Sequence, residues 1–370
     1  MLNSSGFKGR GFLGQAMRAQ AGYRKIGAKG KVLAGVCSAL LACASAQASV
    51  AVLLEQPYGK LGVFDPAGHS AIYLDHVCAE SPIELRPCHE GELGVVISRY
   101  DGIQHYDWLA MPLMAYLYAV DSADEIPVVM DKATEVQLRD KYRRANLESI
   151  APDRPDGQAP EGNWYELAGS AYDRTIYGFS VKSTQEQDAQ LIEEFNDRRN
   201  VTRYNGVYSN CADFARTTIN RFYPHAVRRN YIADLGMTSP KSVARGLTHY
   251  SAKHPEDGLQ IFMIPQVKGS LPRSHSAEDL AEGILKRYSV PLVVLSPATT
   301  AVVLAAYIGH GRFSMPKDAV VLDLHSAAAA AFLEEQSAVA VSVLQSPSIT
   351  ASAGSQMGSG LRTVSMMAKP

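Results

Sequence analysis

The stretch YSNCADFAR, residues 208–216, contains the cysteine on which the interpretation of this sequence depends. Asn210 is a typical helix cap residue, and from Cys211 onward residues 214, 215, 218 and 222 lie three or four positions apart on one face. The pattern predicts a helix that begins at Cys211 and ends before Pro224. Because a helix N-terminus favours the thiolate form, Cys211 is a candidate nucleophile. The alternative is a buried structural cysteine, which is the more common role of this residue type.

The first 48 residues have the composition of a secretory signal peptide. They contain seven Lys and Arg residues and no Asp or Glu, and an apolar run over residues 32–48 ends in Ala-Gln-Ala. We therefore expect cleavage after Ala48 and a periplasmic or secreted mature protein. An alternative is a lipoprotein, because the sequence LLAC over residues 40–43 resembles a lipoprotein box and would leave Cys43 lipidated.

The charge of the mature chain argues against one class of partner. Removal of seven basic residues changes the formal net charge from −1 to −8. No basic run remains, so we expect no nucleic-acid partner. The remaining chain is long enough for one large domain or two modest ones.

The five cysteines divide into three groups. Cys37 and Cys43 belong to the predicted signal peptide, and Cys78 and Cys88 lie ten residues apart in a predicted hairpin, where an oxidising compartment would pair them. Cys211 is then the remaining thiol. No CxxC pair and no HExxH motif occurs, so the sequence indicates neither a metal nor another cofactor.

Hydrophobic periodicity predicts strands and helices in turn. The sequence GHSAIYLDHVC, residues 68–78, alternates as a strand does, and two further strand-like segments follow at hairpin spacing. Residues 164–184 are also predicted to form a strand. Thr184 and Gln187 form a capping-box signature for the next helix, and Ser239 with Pro240 marks the start of another.

The C-terminal part differs in composition from the rest. We expect an additional α/β region over residues 271–345 and a disordered tail over residues 346–370. Residues 289–309 carry no charge and are numerous enough to span a bilayer. Pro291 and Pro297 interrupt this run, so we predict a buried strand followed by a helix, with a membrane-associated segment as the alternative.

Two motifs together resemble a known superfamily. GHSAIYLD at residues 68–75 and YNGVYSNCADF at residues 204–214 are similar to the circularly permuted papain-like, or NlpC-type, proteins. That superfamily includes lecithin retinol acyltransferase-like proteins and permuted bacterial amidases, in which a histidine-bearing strand precedes an Asn-Cys helix. The resemblance covers residues 63–221. It implies an α+β fold for residues 49–270, with an antiparallel sheet packed against the cysteine-bearing helix.

The resemblance also implies a catalytic site. Cys211 would be the nucleophile, His69 the general base, and a third polar residue would orient the imidazole from the adjoining strand. Glu84 is the first candidate for the third position, and His76 and His89 are the alternatives. A direct hairpin pairing of Cys78 with Cys88 would instead place His69 opposite Ile97, so the disulfide and the role of Glu84 are in conflict.

The function implied is an exported cysteine amidase or peptidase that cleaves an amide or peptide bond, with envelope peptidoglycan as the default substrate, through a thioester. One alternative is a lipid acyltransferase or thioesterase of the same fold, held at the membrane and acting on an acyl lipid. A second alternative is an envelope binding module without catalysis, in which His69 and Cys211 lie too far apart to react.

Overall fold

A computed structural model describes residues 48–59, 66–232 and 234–323. The fold is α+β, as predicted. The predicted signal peptide and Cys43 lie outside the described residues, apart from Ala48, and so does the predicted tail over residues 346–370.

The centre of the molecule is a seven-stranded sheet with strand order β6-β5-β2-β1-β7-β8-β9. All neighbouring strands in this sheet are antiparallel except β8 and β9, which are parallel. Strands β3 and β4 form a separate two-stranded antiparallel sheet. The strands are β1 (Ser49–Glu55), β2 (His69–Leu74), β3 (Val77–Ser81), β4 (Glu84–Pro87), β5 (Val95–Ser98), β6 (Leu109–Pro112), β7 (Ile176–Lys182), β8 (Gln260–Ile264) and β9 (Val320–Val321).

The helices lie between and after these strands. They are α1 (Leu113–Tyr118), α2 (Lys132–Asn146), α3 (Ser170–Asp173), α4 (Gln185–Asp197), α5 (Cys211–Phe222), α6 (Pro240–Ser251), α7 (Leu280–Leu295) and α8 (Pro297–Ala306). Short 3-10 turns occur at Ala123–Glu125, Trp164–Glu166 and Pro255–Asp257, and a π-turn at Tyr307–Gly311 follows α8.

Both faces of the sheet are buried, which explains why β1 is an almost unbroken apolar run. Leu53 and the side chains at alternating positions of β1 that share its face pack with the side chains of α1 and α3. Val52 and Leu54 point to the opposite face, where the apolar sides of α4, α5 and α6 cover them. The cysteine-bearing helix α5 therefore lies against the sheet, where it packs on β2.

Local signals place several helix starts correctly. Thr184 and Gln187 form the predicted capping box of α4, and Ser239 caps α6 with Pro240 in its first turn. The strand predicted over residues 164–184 is wrong in its first half. Residues 164–173 instead form a 3-10 turn and the short helix α3, and only Ile176–Lys182 forms a strand.

The uncharged C-terminal run also differs from its prediction. Residues 289–309 form the second half of α7, all of α8 and the start of the π-turn, and not a buried strand followed by a helix. Most of their large apolar side chains are exposed. Within the part of the chain that the structure describes, no helix has both the length and the apolar character needed to cross a bilayer.

The predicted disulfide is confirmed. Cys78 and Cys88 are bonded to each other, with their Cα atoms 4.8 Å apart. This bond is compatible with an oxidising compartment outside the cytoplasm.

Candidate active site

Cys211 is the first residue of α5, as the sequence pattern predicts. The side-chain oxygen of Asn210 accepts a hydrogen bond from the backbone N–H of Asp213 at 2.8 Å, and its amide donates to the carbonyl oxygen of Thr238 at 3.0 Å. These two bonds hold the cap residue, and with it the start of the helix. The thiol is outside the disulfide and is 7% exposed.

Asp213 lies in the first turn of α5, where its charge would oppose ionisation of the thiol if it had no counter-ion. The carboxylate accepts hydrogen bonds from Arg229 at 2.7 Å and from Arg216 at 3.0 Å. Thr238 donates to the same oxygen at 3.2 Å. Two guanidinium groups therefore balance this carboxylate, and the electrostatic environment of the helix start is not dominated by Asp213.

His69 is the first residue of β2, directly after a constrained glycine. Gly68 has a φ of +78°, and a Cβ there would lie 2.1 Å from the carbonyl oxygen of Glu55. Only glycine fits this close approach, so the turn that leads into β2 depends on it. His69 pairs with Glu55 across β1 and is 6% exposed.

The hydrogen bonds around His69 assign a role to each ring nitrogen. Ser98 donates its only hydroxyl hydrogen to the carbonyl oxygen of Ser70 at 2.7 Å. The Nε2 atom of His69, 3.0 Å from the same Ser98 oxygen, must then donate to it. In the neutral ring, this leaves the lone pair on Nδ1, which is the atom able to accept a proton.

A buried ionic network lies beside Nδ1. The Glu166 carboxylate is 3.8 Å from that nitrogen and 3.1 Å from the Arg174 guanidinium. Arg174 is also 3.7 Å from the carboxylate of Glu55, which accepts hydrogen bonds from Ser170 at 2.7 Å and from Tyr116. The network connects His69 to β1 and to the segment that precedes β7.

Burial dominates the acid–base behaviour of the imidazole. It lowers the pKa of His69 from 6.5 to about 4, an effect that the Glu166 carboxylate opposes and the Arg174 guanidinium reinforces. Tyr100 stacks on the ring with centroids 5.1 Å apart, which adds to its exclusion from water. At neutral pH His69 is therefore an uncharged base and not a preformed imidazolium.

A cavity of about 550 Å³ opens beside the start of α5. Cys211 and Asn210 line it together with Gly68, the residue that precedes His69. The volume is typical of small-molecule sites. The remaining wall combines apolar and acidic side chains from the loop before α6 and from the first turns of α7, among them Met237, Asp234, Leu280, Asp279 and Ile284.

The structure brings Cys211 and the start of β2 to the same end of the sheet. Strand alternation places the His69 ring with Leu53 and Tyr73, on the face opposite to that covered by α5, and of these two neighbouring residues it is Gly68, not His69, that lines the cavity with Cys211. Tyr100 stacks on His69, and burial above all raises the pKa of its hydroxyl, an effect to which the charge of Cys211 adds.

No family model, curated protein or solved structure matches this chain.

The structure does not bring Glu84 to His69. Glu84 is exposed at the start of β4, in the separate two-stranded sheet, where it pairs with Ser81. In the main sheet Ile97 pairs with Ile72, so the predicted register of His69 opposite Ile97 is wrong by three residues. The reason is that the disulfide closes the β3–β4 hairpin and leaves the β2–β5 pairing unconstrained.

Sequence reasoning missed the residues that do contact the imidazole. Ser98 lies on β5, the strand adjoining β2, where a third polar residue was expected, but its position depends on a long-range register. Glu166 lies in a segment predicted as strand. A buried, charged neighbour such as Arg174 carries no local sequence signal that distinguishes it from a surface arginine.

The described residues offer little for a metal ion. Cys78, Cys88 and Glu92 are the one group in the described ranges with ligand atoms within 4.8 Å of one another. Because the two sulfur atoms are bonded to each other, neither is available as a thiolate ligand.

Proposed function

We propose that the protein is an exported cysteine hydrolase of the circularly permuted papain-like type, acting on an amide or peptide bond. The observation that carries the proposal is that Cys211, at the N-terminus of α5, and Gly68, next to His69, line one cavity. The order of a histidine strand followed by a cysteine helix agrees with the resemblance of the two motifs. The disulfide supports an oxidising compartment.

The chemistry would proceed in two steps. The thiol of Cys211 attacks the carbonyl carbon while Nδ1 of His69 takes its proton, and a thioester forms as the protonated amine leaves. Water then attacks the thioester, gives a proton to the same nitrogen, and releases the acid and the thiol. Ser98 acts as a positioning residue, because its bond to Nε2 keeps the lone pair on Nδ1.

Backbone N–H groups at the start of α5 would stabilise the oxyanion. The helix dipole and the first N–H groups point toward negative charge at this end. The cap bond from Asn210 fixes the first turn, so these donors need little reorganisation as charge develops.

A test uses the chain from Ser49 onward and p-nitrophenyl acetate as a probe. Mass spectrometry should detect one acetyl group on Cys211 within the first turnover, and none in Cys211→Ala. His69→Gln should acylate at least about a hundredfold more slowly, which is the lower range for loss of a general base.

Equal acylation rates in the wild type and in His69→Gln would refute the dyad. A crystal structure with the Cys211 sulfur well beyond hydrogen-bond reach of the imidazole would also refute it, and would favour the envelope binding module. Hydrolysis of peptide amides and muropeptides, compared with that of lipid esters, then distinguishes the amidase from the lipid acyltransferase or thioesterase.

The second candidate, acyl transfer or deacylation of a lipid, has one observation in its favour. The cavity wall includes the apolar side chains of Met237, Leu280 and Ile284, which an acyl chain could contact. Long-chain esters hydrolysed much faster than peptide amides would decide for it.

A further inference from the structure

Helices α7 and α8 form a hairpin whose base is anchored, whereas its outer part is largely exposed among residues 48–59, 66–232 and 234–323. Asp279 caps α7, Ala281 and Gly283 are buried, and Glu282 forms an ion pair with Lys241 of α6. Beyond this base, the two helices pack against each other. Most side chains from residue 286 to residue 305 are exposed or half-buried.

The exposed surface of this hairpin is apolar. Residues 289–309 contain no charged side chain. The most exposed of the large side chains, Leu295, is 83% accessible to water, and Val290 and Val294 are each 74% accessible. The other large apolar side chains exposed in this run are Val293, Val302, Leu304 and Ile308. Contiguous apolar exposure of this kind marks an interaction surface in proteins.

A neighbouring loop extends this surface. Tyr231, Ile232 and Leu235 are exposed apolar side chains in the segment between α5 and α6. The side-chain amide of Asn230 donates a hydrogen bond to the carbonyl oxygen of His310 at 2.8 Å, which joins this loop to the end of the hairpin. Asp234 and Met237 of the same loop line the cavity.

The order of residues along the hairpin matches the layers of a membrane surface. Tyr288 directly precedes the uncharged stretch, and Tyr307 lies two residues before its end. The nearest basic residues outside the stretch are Lys286, Arg287, His310 and Arg312. The hairpin has an apolar tip, followed by tyrosines and then by basic residues. This order matches the environments met on going from hydrocarbon through the headgroups to water.

The dimensions fit insertion into one leaflet and not a span. The six residues from Val290 to Leu295 rise about 9 Å at 1.5 Å per residue, which compares with the roughly 5–10 Å to which interfacial helices insert. The hydrocarbon core is about 30 Å thick.

We propose that the tip of the α7–α8 hairpin inserts into the surface of a phospholipid bilayer. The contact is mainly apolar, because Glu278 pairs with both Lys286 and Arg287 and Glu282 pairs with Lys286, so the basic side chains are partly neutralised. Binding should therefore persist on zwitterionic lipid and at high salt. Because Leu280, Gly283 and Ile284 line the cavity, docking would bring the cavity to the membrane surface.

The test is flotation of the chain from Ser49 onward with phosphatidylcholine vesicles and with vesicles that also contain phosphatidylglycerol. This chain lacks Cys43, so a lipid anchor does not contribute. The wild type should float in both cases, at low and at high salt. The double variant Val294→Glu and Leu295→Glu should bind more than about tenfold more weakly, since two exposed apolar side chains are replaced by charges.

A matched control separates the hairpin from general apolar exposure. Val136→Glu changes a valine on α2 that is 54% exposed, and it should float like the wild type. Unchanged thermal unfolding of all variants shows that the fold is retained. Because flotation does not depend on catalysis, the result stands apart from the acylation test of Cys211.

Three results would overturn the proposal. Equal flotation of the double variant and the wild type would place the contact elsewhere. Flotation only after truncation at Asp323 would show that residues 324–370 cover the hairpin. Absence of flotation, with a dimer that the double variant converts to monomer in light scattering, would identify a second copy of the chain as the occupant.

Discussion

The neutral state of His69 makes a quantitative prediction about stability. Burial lowers the pKa of its imidazole to about 4 in the folded protein, whereas in the unfolded chain the pKa is close to 6.5. Between these two values the unfolded chain binds more protons at this position than the folded one, so the free energy of unfolding rises with pH. The contribution is complete above pH 6.5 and is lost as the pH falls to about 4.

The expected size is roughly 3 kcal/mol, because burial lowers the pKa from 6.5 to about 4 and a tenfold change in an equilibrium constant corresponds to about 1.4 kcal/mol. The measurement is urea unfolding of the wild type and of His69→Gln at intervals between pH 4 and pH 7. Asp188 and Asp279 also titrate in this range, since burial raises the pKa of Asp188 to about 7 and that of Asp279 to about 6. Both are present in both proteins, so the difference between the two curves isolates His69.

The wild type should lose roughly 3 kcal/mol more than His69→Gln on acidification from pH 7 to pH 4. Parallel curves would mean that the pKa of His69 is the same in both states. A wild type that gains stability relative to the variant at low pH would mean that Glu166 holds an imidazolium. Either result would refute the assignment of an uncharged base.

Two further predictions concern the candidate active site and the disulfide of the β3–β4 hairpin. Ser98→Ala removes the acceptor of the His69 Nε2 hydrogen bond and should lower kcat/KM for p-nitrophenyl acetate roughly 10- to 100-fold and alter the pH profile. Glu84→Gln changes an exposed residue and should leave both kcat/KM and the pH profile unaltered. A loss of activity in Glu84→Gln but not in Ser98→Ala would restore Glu84 to the site. Replacing Cys78 and Cys88 together by alanine removes the bond between two residues ten positions apart and should lower the free energy of unfolding in urea by roughly 2–3 kcal/mol. An unchanged urea concentration at the unfolding midpoint would contradict this prediction.

Local chemistry explains which predictions succeed. The start of α5 follows from the Asn210 cap, and the start of α4 from a capping box, because each motif satisfies backbone donors within three residues. The disulfide between Cys78 and Cys88 also involves a short separation. In all three cases the interacting groups are neighbours in the sequence, so the sequence contains the whole interaction.

The partners of His69 depend on long-range pairing instead. Ser98 is 29 residues away and reaches the ring through the register of β2 with β5. Glu166 is 97 positions from His69 in the chain and arrives on a 3-10 turn. A hydrophobic pattern shows which side chains of a strand face the core, but it does not determine which residues of two paired strands lie opposite each other. The sequence alone therefore does not distinguish Ser98 from Glu84 as the partner of His69.

The C-terminal run shows a second limit of sequence patterns. Residues 289–309 are apolar, and apolar character predicts removal from water without saying whether protein or lipid provides the cover. Pro291 and Pro297 were both predicted to interrupt this run, yet Pro291 lies inside α7, while Pro297 begins α8 as the first helical residue. The prolines therefore shape a helical hairpin whose apolar surface the described residues leave exposed.

The burial of His69 and the position of Cys211 are complementary in the proposed mechanism. An imidazole with a pKa of about 4 is a weak base, and at neutral pH it does not hold the proton of an ordinary thiol in the resting state. Proton transfer then has to be driven by the helix dipole and by bond formation to the substrate carbonyl. The same burial keeps the imidazole unprotonated down to acidic pH, so the acid limb of catalysis should lie well below that of a solvent-exposed histidine.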